Sequence, residues 1–177
     1  NMLLIGAYAA LDGHMNGDDG ASWSAAVTTW IWGDVASDDA TKGSELCDQS
    51  TIVPIEDYTV ASSNNYVASK WKFNYAGIGR ANDVLKIMSK CNPALSVSTQ
   101  ASIRAQVLFI RGFIHVELKR VFNNMPYITE DVDPVKGTNT VDAWTKMEAD
   151  LKFDVDNITT SQTEIGRPTK YAAEAVL

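Results

Sequence analysis

Two adjacent acid pairs, Asp18-Asp19 and Asp38-Asp39, are the residues whose type and spacing first invite a chemical reading. Two carboxylates held roughly 5 to 9.5 Å apart across a glycosidic bond act as acid and base, or as acid and nucleophile. Neighbours in sequence do not by themselves supply that separation. The run Trp32-Gly33-Asp34 followed by Ser37-Asp38-Asp39 reads more simply as a turn whose carboxylates cap backbone N–H groups. Metal chemistry fares no better. Asp12, His14, Asn16, Gly17 and Asp18 follow the first half of an EF-hand loop, but its last ligand position falls on Trp23 where a bidentate Glu is required. His14 and His115 stand alone, without HExxH or a Cys partner, and read as hydrogen-bonded or surface histidines. Gly77-Ile78-Gly79 lies inside a helical pattern and lacks the preceding strand that a phosphate cradle needs. No catalytic residue, no metal ligand and no cofactor is expected.

Charge excludes a further class. With 15 basic and 22 acidic side chains the net charge is -7, which argues against phosphate-backbone binding and so against nucleic acid. The imbalance is local: residues 1–65 hold ten acids and one base, residues 66–128 two acids and nine bases, and residues 129–177 ten acids and five bases. The basic middle coincides with helical patterns and reads as solvated faces pairing with acidic neighbours. Cys47 and Cys91 form no CxxC; one disulfide and two buried thiols are both open to them. No stretch approaches the roughly 20 apolar residues that would span a bilayer.

The elements that must position these groups are helices. Residues 2–11 are apolar nearly all round, which predicts a helix buried among others. From Asp12 to about Ser69 the chain is rich in Gly, Asp, Ser, Thr and Asn, interrupted by the apolar run Ala25 to Trp32, and a loop-rich stretch of this length is where function often sits. Helical order is predicted again from Trp71, where Trp71, Tyr75, Ile78, Asn82, Leu85 and Met88 share one stripe that Cys91-Asn92-Pro93 ends. Ser98 or Thr99 is placed to cap the next helix, with Ile103, Val107, Ile110, Ile114, Leu118 and Val121 on one face. Thr140 would cap a third, carrying Val141, Trp144, Met147, Leu151, Val155 and Ile158. Gly166-Arg167-Pro168 would start a fourth, with Pro at or near its first turn. Arg111, Arg120 and Glu117 lie among apolar neighbours on one helix, which suits buried guanidinium groups bonded to carboxylates or helix ends. The expected fold is mainly α, with tetratricopeptide-like antiparallel helix pairs and a long irregular loop-rich insertion. Because the last helix meets no terminating residue, 1–177 is expected to be an incomplete fragment of a larger α-rich fold.

A series of pieces in fixed order then resembles a known family. They are Trp32-Gly33-Asp34 with Ser37-Asp38-Asp39; Trp71-x-x-x-Tyr75-Ala76-Gly77-Ile78-x-Arg80-Ala81-Asn82; and Ala105-x-x-x-Phe109-x-Arg111-Gly112, leading to Leu118-x-Arg120-x-Phe122. Met125-Pro126-Tyr127-Ile128, Trp144-x-x-Met147-Glu148-x-Asp150-Leu151 and Gly166-Arg167-Pro168-Thr169-Lys170-x-Ala172-Ala173 follow. Together they resemble the N-terminal region of the SusD/RagB family over nearly all of 1–177. Asn123 and Gly112 depart from it, standing where the family usually has Gly and Ala.

The resemblance implies a non-catalytic, surface-exposed lipoprotein of the outer membrane, anchored through an acylated Cys upstream, that captures oligosaccharide and passes it to a SusC-like TonB-dependent transporter. Contact with the membrane would run only through that lipid anchor. Glycan capture needs flat rings that stack on sugar faces and a few placed polar groups. The loop-rich region offers Trp23, Tyr58, Tyr66 and Trp71 as rings, and Asp38, Asp39, Asn64 and Asn65 as polar partners. Tyr66 stands out, flanked by Ser62-Ser63-Asn64-Asn65, whereas Trp30 and Trp71 fit helical core patterns. Two other readings remain: a helical scaffold that docks the transporter with ligand contacts elsewhere, and a glycoside hydrolase domain.

Overall fold

A computed structural model describes residues 2–12, 28–43, 45–90, 95–162 and 164–177. All regular structure among them is helical: α1 (Met2–Leu11), α2 (Thr28–Trp30) running into a π-helical turn Ile31–Val35, α3 (Val53–Glu56), α4 (Asn65–Lys90), α5 (Val97–Phe122), a 3-10 turn Pro134–Lys136, α6 (Trp144–Asn157) and α7 (Lys170–Val176). None of these helices is long and apolar enough to cross a membrane. The chain divides into two compact units, one of Asn1–Tyr8 with Ala76–Leu177 and one of Ala9–Tyr75. The mainly α, tetratricopeptide-like architecture read from the sequence is the one observed.

In the first unit α5 packs on α6, and α6 on α7. Val107, Ile110, Ile114 and Leu118 of α5 meet the predicted stripe and are buried, as are Ile78 and Leu85 of α4 and Met147 and Leu151 of α6. Four details differ from the sequence reading. Helix α1 buries Leu4 and Ala7 but exposes Met2 and Ile5, because so short a helix finds partners along one stripe only. Ser96, not Ser98 or Thr99, caps α5, its hydroxyl accepting from the Thr99 amide at 3.2 Å. Helix α6 starts at Trp144 rather than after Thr140, with the Asp142 carboxylate accepting from the Trp144 amide at 2.9 Å, and Val141 and Trp144 are exposed instead of facing the core. Pro168 precedes α7 instead of opening it, and the Thr169 side chain is the cap.

Gly112 has a steric reason. A Cβ there would lie 3.1 Å from Leu151 Cγ and 3.2 Å from its Cδ2, so the missing side chain lets α5 approach α6 closely. Gly112→Ala is expected to be nearly neutral, the roughly 1 kcal/mol gain in helix propensity offsetting the crowding. Gly112→Val adds a Cβ and two methyls to a filled core and should cost about 2 kcal/mol. Urea denaturation of the two variants tests this; equal stabilities would show that the approach imposes no limit on side-chain size.

In the second unit Ile31, Val35, Ile52, Ile55 and Tyr66 form the core, with Trp30, Trp32, Ala36, Ala40 and Val60 packed against it. The irregular segment ends earlier than its composition suggests, for α4 begins six residues before Trp71. Asn64 starts it: its Oδ1 accepts from the Tyr66 amide at 2.9 Å, its carbonyl from the Ala68 amide at 3.1 Å, and its Nδ2 donates to the Thr51 carbonyl at 2.8 Å. Cys47 is an exposed, unbridged thiol rather than a buried one; Cys91, like Trp23 and His14, lies outside the described residues.

Candidate functional site

The second unit presents one exposed aromatic ring on a braced loop. Tyr58 is 73% exposed, and its backbone adopts φ +55°, left-handed for a non-glycine residue. Its hydroxyl donates to the Ala36 carbonyl at 2.7 Å, tying residues 22 positions apart. Ala36 ends the π-helical turn, and Asp38, also left-handed at φ +68°, and Asp39 follow immediately. The Asp39 and Ala40 amides donate to the Asp34 carbonyl at 2.9 and 3.1 Å, and the Ser37 hydroxyl lies 3.1 Å from an Asp39 carboxylate oxygen. The predicted capping of this turn by carboxylates is therefore replaced by backbone carbonyls, which leaves Asp38 and Asp39 exposed beside the segment that anchors Tyr58. A pinned ring next to short acceptors is a geometry that suits a polyhydroxyl ligand: a flat face for the sugar's C–H groups to stack on, and carboxylates to accept hydrogen bonds from its hydroxyls. Two residues held in left-handed backbone mark a loop shape maintained against local preference.

The other predicted residues divide. Tyr66 is 4% exposed, packed in the core of its unit with its hydroxyl on Gln49, so its ring has no free face for a sugar. Burial, followed by the nearby Asp48 charge, pushes its hydroxyl pKa up. Asn64 is spent on the helix start, while Asn65 is exposed at the first position of α4. Trp71 is 39% exposed, less buried than a core reading requires, and lies 4.6 Å from the Tyr75 ring. The signal that separates Tyr58 from Tyr66 is the helix start at Asn64, which turns the second residue of α4 inward.

One buried cluster of titratable groups in the first unit serves packing. Arg111 is buried and donates from Nε and Nη2 to the two oxygens of Asp150 at 2.6 and 2.8 Å. Its Nη1 donates to Asn82 Oδ1 at 3.0 Å and to Glu130 at 2.5 Å. The Tyr127 hydroxyl donates to Asp150, and the Tyr127 ring stacks on His115 at 4.2 Å. Burial works against the Arg111 charge, but its bonds to Asp150 and Glu130 outweigh it and raise its pKa. This is the structural role read for Arg111; Arg120, by contrast, is exposed and pairs with Glu117 at 2.6 Å. No group of three or more His, Cys, Asp or Glu side chains among the described residues is arranged to hold a metal ion.

Against known proteins, a model of SusD-like proteins, described as starch-binding and associating with the outer membrane, matches residues 14–177. SusD-like protein P2 of Formosa agariphila is 26% identical over 129 residues, 70% of this chain and 25% of that protein. A SusD superfamily protein from Bacteroides vulgatus superposes over 99% of this chain and 37% of its own with a TM-score of 0.79 at 23% identity. A laminarin-binding SusD-like protein gives 0.77 at 22%, and surface glycan-binding protein A from Bacteroides fluxus 0.81 at 19%, each with the same coverage. The chain thus spans between a quarter and about two fifths of the length of these relatives.

Proposed function

The chain belongs to the SusD-like family, and on that premise we propose that it is the N-terminal region of a non-catalytic glycan-binding protein that captures oligosaccharide at the cell surface. The observation that carries the reading is Tyr58, a large ring left in solvent yet fixed by its own hydroxyl beside Asp38 and Asp39. Trp71 and Asn65, exposed in the same unit, are the further ligand contacts of this reading. The family's description and two structural relatives whose names give laminarin or surface glycan as ligand support the ligand class. Adjacent carboxylates on one exposed turn offer an acceptor pair rather than two groups facing each other across a bond, which supports binding without hydrolysis. Delivery to a SusC-like TonB-dependent transporter, and outer-membrane attachment through a lipid anchor, belong to the same proposal, and family membership is what supports them.

Calorimetric titration with laminari- and malto-oligosaccharides, run beside a reducing-end release assay, tests it. Saturable binding without release is expected, and Tyr58→Ala should weaken it about tenfold, the loss of one stacking contact of about 1 to 1.5 kcal/mol. Release of reducing ends would make the chain a hydrolase. Neither binding nor release would leave the helical scaffold that docks a transporter as the better account.

A further inference from the structure

We infer that a second sugar-binding groove lies in the first unit, at the start of α5, and takes a single neutral sugar ring. The choice of a sugar rests on the glycan-binding reading; the groove itself does not. The cleft encloses about 390 Å³, near the lower end for small-ligand sites and therefore suited to about one ring. Ser98, Ser102 and Gln106 repeat every four residues on α5 and form one wall, with Leu4 and Ile103 as an apolar floor. The opposite wall comes from Gln162, Glu164 and Arg167, in the connection between α6 and α7.

That wall is held rigidly. The Arg167 guanidinium lies 4.7 Å over the Tyr8 ring, donates to Glu164 Oε2 from Nε and Nη2 at 2.9 and 2.6 Å, and donates to Gln106 Oε1 from Nη1 at 3.1 Å. Gln106 Oε1 also accepts from the Tyr8 hydroxyl at 2.8 Å, and its Nε2 donates to Ser102. Gln162 Nε2 donates to the Pro168 carbonyl at 3.0 Å. With a further guanidinium N–H engaged by the Tyr8 hydroxyl, an inventory of these groups leaves one guanidinium N–H and the Ser102 O–H as donors, and Gln162 Oε1 and Glu164 Oε1 as acceptors, without a hydrogen-bond partner among the described residues. Donors and acceptors in mixture match hydroxyls, each of which both donates and accepts. Charge selects the neutral ligand: the single cation of the lining is paired with the single carboxylate, so an anion gains little and meets Glu164.

The test follows the Leu4 and Ile103 methyl signals by NMR in the isotopically labelled 177-residue chain, with glucose, maltotriose and laminaritriose as probes. Saturable shifts with at least one probe are expected. They should persist in Tyr58→Ala and weaken at least tenfold in Ser98→Trp, whose indole would fill the cleft. Ser102→Ala, too small a change to disturb the helix, should weaken them several-fold. Unmoved Leu4 and Ile103 signals with all three probes, or shifts indifferent to both serine variants, would overturn the groove. Groove signals that respond while no oligosaccharide binding depends on Tyr58 would instead sink only the earlier reading.

Discussion

Arg111→Met is expected to destabilise the first unit by about 3 to 5 kcal/mol, the range for breaking a buried ion pair from one side. The reason lies in what stays behind. Asp150 and Glu130 would face each other across an apolar side chain without the cation that now satisfies both, and Asn82 would lose the donor to its Oδ1. Arg111 joins α4, α5, α6 and the 125–130 segment, so the damage would not be confined to one contact. Removing the leftover charge separates the pair from its surroundings: Arg111→Met with Asp150→Leu should recover much of the loss, because a buried pair is often replaceable by apolar side chains of similar volume. Urea midpoints of the single and double variants decide it. A single-variant loss under about 1 kcal/mol would mean the guanidinium is solvated after all.

How far these features were legible in the sequence depends on whether local pattern or tertiary contact decides them. The α5 stripe from Val107 to Leu118 was legible because a core-facing helix repeats apolar residues at helical spacing, and all four central positions are buried. Helix starts were less so. Ser96, Ser98 and Thr99 are interchangeable as caps by type, and only the backbone geometry selects Ser96. Asn64 suits both a sugar hydroxyl and a helix cap by type; in the structure it starts α4, and that start carries Tyr66 into the core. Tyr58 was legible as a ring in a polar region, but its bond to Ala36 joins two turns that no periodicity links. The partners of Arg111 were invisible for the same reason: Asp150 lies 39 residues away and Asn82 29. Arg167 carried no signal beyond its family motif, since its contact with Tyr8 spans nearly the whole chain.

The pH dependence of stability should be nearly flat in the wild type between about pH 4 and 6.5, and should tilt in opposite directions when either of two buried groups is removed. Asp154 is 0% exposed and neither carboxylate oxygen has a hydrogen-bond partner among the described residues; burial pushes its pKa up to about 7. Between the ordinary carboxylate range and pH 7 the folded chain therefore holds a proton that the unfolded chain has lost, and stability falls as pH rises. His115 works the other way. It is buried, with Nδ1 2.8 Å from the Arg111 carbonyl and Nε2 accepting from the Ile128 amide. Burial first, then the Arg111 charge, lower its pKa to about 3, against the opposing bond to the Arg111 carbonyl. Between about pH 3 and 6.5 the unfolded chain holds the extra proton, so stability rises with pH. Each group contributes a slope of about 1.4 kcal/mol per pH unit, and over the shared window the two cancel. Asp154→Asn removes the falling slope, so its stability should rise by about 1 kcal/mol per unit from pH 4 to 6.5. His115→Gln should instead lose stability at a similar rate, whatever its overall offset. Glu130, whose pKa is held down by its hydrogen bonds and the Arg111 charge against the pull of burial, adds a rising slope only below its ordinary range. Denaturant midpoints at half-unit pH steps read these slopes directly. An Asp154→Asn profile parallel to the wild type would show that the Asp154 carboxylate reaches solvent and titrates as it does in the unfolded chain.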